Sequence, residues 1–194
     1  MPTTHLLYLH GFRSSPQSQK ARKMAALVAQ RHPDVIWWCP QLPPSPRAAM
    51  ALITQGTAAW PRTAMAVVGS SLGGFYATCF TEHTGCPSVL LNPAVDPARD
   101  LAKYIGEQSS WHDPQQRFFF QPEFVAELSA ITPKGLTQLD RYFAVITKGD
   151  EVLDWREMTG RYPGARIKLL EGGDHALSDF DAHIDEVLAF LNLA

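Results

Sequence analysis

The chain has 194 residues, 45% of them hydrophobic and 19% charged, with a formal net charge of −2. That is enough for one domain with a sizeable core, and without a basic run it offers no hold for nucleic acid or an anionic membrane surface. No apolar run approaches the roughly 20 residues of a membrane-spanning helix. The three cysteines, Cys39, Cys79 and Cys86, have no metal-type spacing and read as packed thiols in a reducing compartment. The run 6–9 is too short for a signal peptide's apolar stretch and has no basic flank or cleavage site, so a soluble, cytoplasmic protein is expected.

In chain order, the short apolar run 6–10 ended by Gly11 suits a parallel strand buried on both faces. Ser15-Pro16 offers an N-cap and a first-turn proline. Ala21, Met24, Ala25 and Val28 follow at helical spacing, with Lys20, Arg22 and Lys23 on the outward face, and the helix closes near Arg31-His32-Pro33. A second strand is expected at 35–39. A rigid loop holding Pro40, Pro43, Pro44 and Pro46 comes next, then a weaker helix at about 47–60 and a third strand at 65–68.

Next comes Val67-Val68-Gly69-Ser70-Ser71-Leu72-Gly73-Gly74, a strand, a sharp turn and an apolar helix running to about residue 83. Gly-x-Ser-x-Gly at such a junction is the nucleophile-elbow pattern, which exposes its serine at the carboxyl edge of a sheet. With 13 glycines in the chain, the pattern alone has roughly a 5% chance of arising at random, so its partners must decide.

Further strands are expected at 88–92, 142–146 and 167–170, and a final helix carries Phe180, Ile184, Val187, Leu188 and Leu191 on one stripe. The alternation predicts an α/β fold: about six parallel strands in the order 2-1-3-4-5-6, with helices on both faces. It lapses between residues 98 and 139. That aromatic-rich stretch is expected to form a helical, cap-like insertion over the sheet's carboxyl edge within a single domain spanning 1–194.

A serine hydroxyl needs a base within hydrogen-bond reach, and the base needs an orienting acid. Strand 142–146 leads into Gly149-Asp150-Glu151, and strand 167–170 leads into Glu171-Gly172-Gly173-Asp174-His175. Serine, acid and histidine therefore occur in the order used by α/β-hydrolases, each on a loop at the same edge. Ser71 is the expected nucleophile and His175 the base, since imidazole titrates near 6.5 and can both take and return a proton. Asp150 is the favoured acid, as the first carboxylate after the strand and glycine; Asp154 and Glu151 compete with it. The backbone N–H groups of Leu72 and Phe12 are the expected oxyanion donors.

Other polar residues have plainer readings. His10 ends a strand and is expected to brace its loop by a hydrogen bond, while His5, His32, His83, His112 and His183 read as surface residues. Ser14 and Ser15 read as capping residues, and Arg13 is open to substrate contact. The run Phe118-Phe119-Phe120 reads as packing, with an acyl pocket as the alternative. No cofactor or metal is expected, because no cluster of His, Cys and Asp has ligand spacing.

These residues lie within a wider set of motifs. The segments 7–21 (LYLHGFRSSPQSQKA), 40–44 (PQLPP), 69–74 (GSSLGG), 92–95 (NPAV), 149–154 (GDEVLD) and 171–175 (EGGDH) resemble, in order and in spacing, the YqiA/YcfP-type esterases, a family of small α/β-hydrolases. The resemblance covers essentially the whole chain and matches least well in the middle insertion. It implies a serine, acid and histidine at Ser71, Asp150 and His175. Relatives often carry Asn where Asp174 stands, which disfavours Asp174 as the acid. It also implies carboxylesterase-like activity on short acyl groups, with a small-molecule ester or thioester as substrate. The alternatives are a hydrolase-fold interaction protein with little turnover and a peptidase or amidase using the same machinery.

Overall fold

The computed structural model describes residues 2–193. In chain order it contains β1 His5–Leu9, α1 Gln19–Arg31, β2 Ile36–Trp38, α2 Pro46–Gly56, β3 Met65–Ser70, α3 Leu72–Thr84 and β4 Ser88–Leu91. These are followed by α4 Pro97–Leu101, β5 Gly106–Ser109, β6 Arg117–Phe120, α5 Pro122–Ile131, β7 Tyr142–Thr147, α6 Trp155–Arg161, β8 Arg166–Leu170 and α7 Ile184–Phe190. The main sheet has six parallel strands in the order β2-β1-β3-β4-β7-β8. This is the expected order, with two extra strands, β5 and β6, counted between the fourth and fifth. No helix among the described residues is long and apolar enough to cross a membrane.

The inner strands β1, β3, β4 and β7 are mostly apolar because both faces are covered, whereas the edge strands β2 and β8 are partly exposed and β8 carries Arg166 and Lys168. Side chains alternate with a period of two. Leu7, Leu9, Val67, Leu90, Ala144 and Ile146 pack into one core with residues of α2, α3 and α6. Leu6, Tyr8, Ala66, Val68, Val89, Leu91, Phe143 and Val145 pack into the other, with α1 and the C-terminal segment. Since all six strands run the same way, the loops after β1, β3, β4, β7 and β8 emerge at one edge.

Several expectations are adjusted. Helix α1 starts at Gln19 with Ser18 as its N-cap, later than Ser15-Pro16 suggests. Ser15 instead closes a turn, its carbonyl accepting from Ser18 N–H and its hydroxyl from Gln17 N–H. The final stripe is buried as expected, but it is broken at His183 into a single turn, Phe180–Ala182, and α7. His183, read as a surface residue, is buried there.

The segment between β4 and β7 carries the helices α4 and α5, and also something its composition did not announce. Strands β5 and β6 pair as an antiparallel hairpin. β5 (Gly-Glu-Gln-Ser) has no apolar alternation, and a run of three phenylalanines is ambiguous between helix and strand. The strand period becomes visible only in three dimensions. Phe118 and Phe120 turn inward against the Phe12 ring, with centroids 5.9 and 5.3 Å away, while Phe119 is exposed. Phe118 and Phe120 thus pack, as one of the two readings expected, and Phe118 also lines a cavity of about 240 Å³ together with Phe12 and Leu72.

Candidate active site

Ser71 sits between β3 and α3 at φ 56°, ψ −120°, a conformation sparsely populated by non-glycine residues and costing about 1–3 kcal/mol. The surroundings hold it there. Its N–H donates to Leu91 O at 3.0 Å, and its carbonyl accepts from Gly74 N–H at 2.8 Å and Ala94 N–H at 3.0 Å. The turn can be this sharp only because its flanks lack side chains. A Cβ on Gly69 would lie 2.2 Å from Gly73 O, and one on Gly73 would lie 2.0 Å from Leu9 O.

His175 reaches Ser71 from the loop after β8. Its Nε2 lies 2.9 Å from Ser71 Oγ, and its Nδ1 lies 2.7 Å from Asp150 Oδ2. A carboxylate only accepts, so Nδ1 carries the proton and Nε2 presents its lone pair to the Ser71 hydroxyl. The Asp150 side chain is fully shielded from solvent, and its other oxygen accepts from Val152 N–H and Leu153 N–H, both at 2.8 Å.

The competing carboxylates are engaged elsewhere. Asp154 caps α6 by accepting from Arg156 N–H. Glu151 Oε2 accepts from the main-chain N–H of His175 at 2.9 Å, so it braces the histidine loop without touching the ring. Asp174 accepts from the hydroxyl and the N–H of Ser178, and these hydrogen bonds hold its carboxyl below the usual range.

The N–H of Leu72 opens helix α3, where the first donors have no intrahelical acceptor. The N–H of Phe12 finds no acceptor among the described residues. Both residues line the cavity that contains Ser71 and His175. Gly11 permits this closeness: a Cβ there would lie 3.2 Å from Ser71 Cβ.

The Phe12 loop is fixed from two sides. His10, buried at its base, donates from Nδ1 to Gly11 O and accepts at Nε2 from Leu42 N–H, both at 3.0 Å. It thereby ties the loop to the proline-rich segment, and burial lowers its pKa to about 4. From the other side Arg13, at φ 59°, donates to Ser109 O at 2.7 Å and lies over the Trp111 ring at 4.0 Å, while Trp111 N–H donates to Arg13 O. The hairpin β5–β6 thus grips the same loop.

One residue of the arrangement was missed. Asn92, directly after β4 and fully buried, donates from Nδ2 to Thr147 Oγ1, Asp174 O and His175 O. Its Oδ1 accepts from Thr147 N–H at 2.9 Å. It clamps the end of β7 to the loop that carries His175. The available signal was a polar residue directly after the apolar run Val89-Leu90-Leu91, at the same edge as the elbow.

The cavity around Ser71 and His175 is small, about 260 Å³, and its wall includes Ala94, Pro97, Leu101, Tyr104 and Leu153. Among the described residues no group of three His, Cys, Asp or Glu side chains is placed to hold a metal ion. The cysteines lie away from this site, and burial pushes the Cys39 and Cys79 thiols up to about 12.

A six-stranded parallel sheet with a serine elbow after its third strand defines the α/β-hydrolase fold, and solved structures share it. A protein from Agrobacterium vitis S4 is 17% identical with a TM-score of 0.74, with 98% of this chain and 91% of that one covered. The α/β hydrolase domain-containing protein 10 from mouse is 14% identical with a TM-score of 0.70, over 97% and 91% of the two chains. A structure from the work on LipS and LipT, two metagenome-derived lipolytic enzymes, is 16% identical with a TM-score of 0.70, over 100% and 96%. The model of the uncharacterised protein family UPF0227 matches residues 5–192, and the chain belongs to that family. This is the YqiA/YcfP-type family that its motifs resemble.

Proposed function

We propose that this protein is a serine hydrolase that cleaves small carboxylic esters or thioesters through an acyl-enzyme intermediate. The observation that carries the reading is the unbroken chain of hydrogen bonds from Ser71 Oγ to His175 Nε2 and from His175 Nδ1 to Asp150 Oδ2. In the first half-reaction Ser71 Oγ attacks the acyl carbon while its proton passes to His175 Nε2. The developing oxyanion is met by the N–H groups of Phe12 and Leu72. The bond to the leaving oxygen or sulfur breaks, and His175 returns the proton to that atom. A water then loses a proton to His175, attacks the acyl carbon and releases the carboxylic acid, and the same proton restores the Ser71 hydroxyl. Asp150 holds the imidazole in the required tautomer and stabilises its cation.

The apolar cavity beside Ser71 supports a short acyl group, being slightly below the roughly 300–1,000 Å³ of ordinary ligand pockets. The test is hydrolysis of p-nitrophenyl acetate together with labelling by a fluorophosphonate. The wild type should turn over the ester and label, and Ser71→Ala should do neither. Equal hydrolysis by Ser71→Ala, or a wild type that neither hydrolyses nor labels, would overturn the reading.

A further inference from the structure

A second cavity of about 330 Å³ meets the first at Ser71 and His175, on the α1 side. Its character is different. The first is walled largely by apolar side chains, with Arg13, Asp100 and Lys103 among them; this one is lined by Tyr8, Ser14, Ser18, Ser70, Lys20 and His112 beside Phe12 and Trp111, and no carboxylate is among its lining residues.

Two of these groups are unexplained by the fold. Tyr8 is fully buried in β1, and its hydroxyl has no partner at full hydrogen-bonding distance, with only the Ser18 and Ser70 hydroxyls near enough for weak ones. The hydroxyl lies beside those of Ser18 and Ser70, and all three residues border the cavity. A buried hydroxyl held only weakly is unfavourable, and phenylalanine would fill the same space in β1. Lys20 was expected to face outward from α1. Instead it is half-buried, and its ammonium donates to Ala176 O, next to His175. That bond uses one of its three donors, and the carboxylates of Asp174 and Asp150 lie near enough to attract the ammonium. Lys20 also lies in the first turn of the thirteen-residue helix α1, whose amino end favours negative charge.

We propose that this cavity receives the leaving-group half of the substrate, and that the leaving alcohol or thiol carries an anionic group, a carboxylate or phosphate, held by Lys20 and the Tyr8 hydroxyl. The inference rests on the hydrolase reading and adds the substrate class. The apolar cavity takes the acyl chain, the oxyanion donors lie between the two, and the departing oxygen or sulfur leaves toward His175 with the anion ahead of it in the polar cavity.

The experiment compares butyrate esters of three short alcohols: 3-hydroxypropionate, 2-hydroxyethyl phosphate and the neutral 3-hydroxypropionamide. Wild-type kcat/KM should favour at least one anionic ester over the amide by about tenfold or more, the scale of a charge-assisted hydrogen bond, and the better anion identifies the group. Lys20→Met should bring the ratio of anionic to neutral ester close to one, Lys20→Arg should restore much of it, and Tyr8→Phe should lower it. Turnover of all three esters at similar kcat/KM overturns this inference and leaves the hydrolase reading standing. So does an undiminished ratio in Lys20→Met. Turnover of none, in a protein that also fails to label with a fluorophosphonate, overturns both.

Discussion

His175 Nδ1 lies 2.7 Å from Asp150 Oδ2, on a side chain with no exposed surface, and the second oxygen of that carboxylate is held by two main-chain N–H groups. The carboxylate is therefore fixed in place where a positive imidazolium would form. Asp150→Asn keeps the shape but can present an N–H to Nδ1, which favours the wrong tautomer. We expect kcat/KM to fall by about a thousandfold or more. Asp154→Asn, at a helix cap, and Glu151→Gln, which can still accept from His175 N–H, should each stay within about tenfold of wild type. Ester hydrolysis by the three variants in parallel decides which carboxylate is the acid; a loss largest at Asp154 or Glu151 would refute the assignment.

The distinction among these carboxylates marks how far the amino-acid sequence could be read. Buried parallel strands write themselves as apolar runs, and the elbow's glycines are dictated by backbone contacts that admit no side chain, so the sheet, the strand order and the edge at which Ser71, Asp150 and His175 meet were legible. What was not legible depends on pairing between distant segments. Glu151 finds the His175 N–H only because β7 and β8 are neighbours, and Asn92 acquires its partners only once β4 lies beside β7. The hairpin β5–β6 has no strand pattern of its own in β5 and takes its order from packing against Phe12 and Arg13. Lys20 was assigned outward by helical spacing, which cannot see the loop around Ala176 folding over it.

Asn92 makes its hydrogen bonds from a fully buried position. Asn92→Ala would leave the Thr147 N–H without its acceptor and loosen the carbonyls of Asp174 and His175, while the Thr147 hydroxyl keeps its hydrogen bond to Asp174 O. Leaving buried partners unsatisfied costs roughly 1–3 kcal/mol each when water cannot enter, so a total loss of about 2–4 kcal/mol is expected, measured by urea denaturation. Because the loosened loop carries His175, kcat should fall more than KM rises. A variant of wild-type stability and kcat would show that the clamp is dispensable.

Gly73 offers a sharper steric test. A Cβ there would lie 2.0 Å from Leu9 O and 2.7 Å from His10 O, and neither backbone atom can swing aside as a flexible side chain would. Gly73→Ala must push α3 away from β1 and open the elbow. Destabilisation of about 4 kcal/mol or more is expected, seen as a large drop in denaturation midpoint or as failure to recover soluble protein. Gly135→Ala, where no atom lies within 4 Å of the added Cβ, serves as the control and should behave like wild type.

His10 gives the fold a pH dependence of predictable sign. Burial lowers its pKa from the ordinary 6.5 to about 4, and its ring serves the fold as a neutral acceptor for Leu42 N–H. Protons therefore bind the unfolded chain in preference to the folded one. Stability is full above about pH 6.5, falls as the pH drops below that value, and levels off below about 4. Between pH 7 and pH 5 the linkage amounts to about 2 kcal/mol. Urea denaturation at pH 7, 6 and 5 should show this loss in the wild type. His10→Gln, whose side chain does not titrate, should be less stable at pH 7 yet lose about 2 kcal/mol less on going to pH 5. Parallel declines in the two proteins would place the acid sensitivity on other groups and remove His10 as its source.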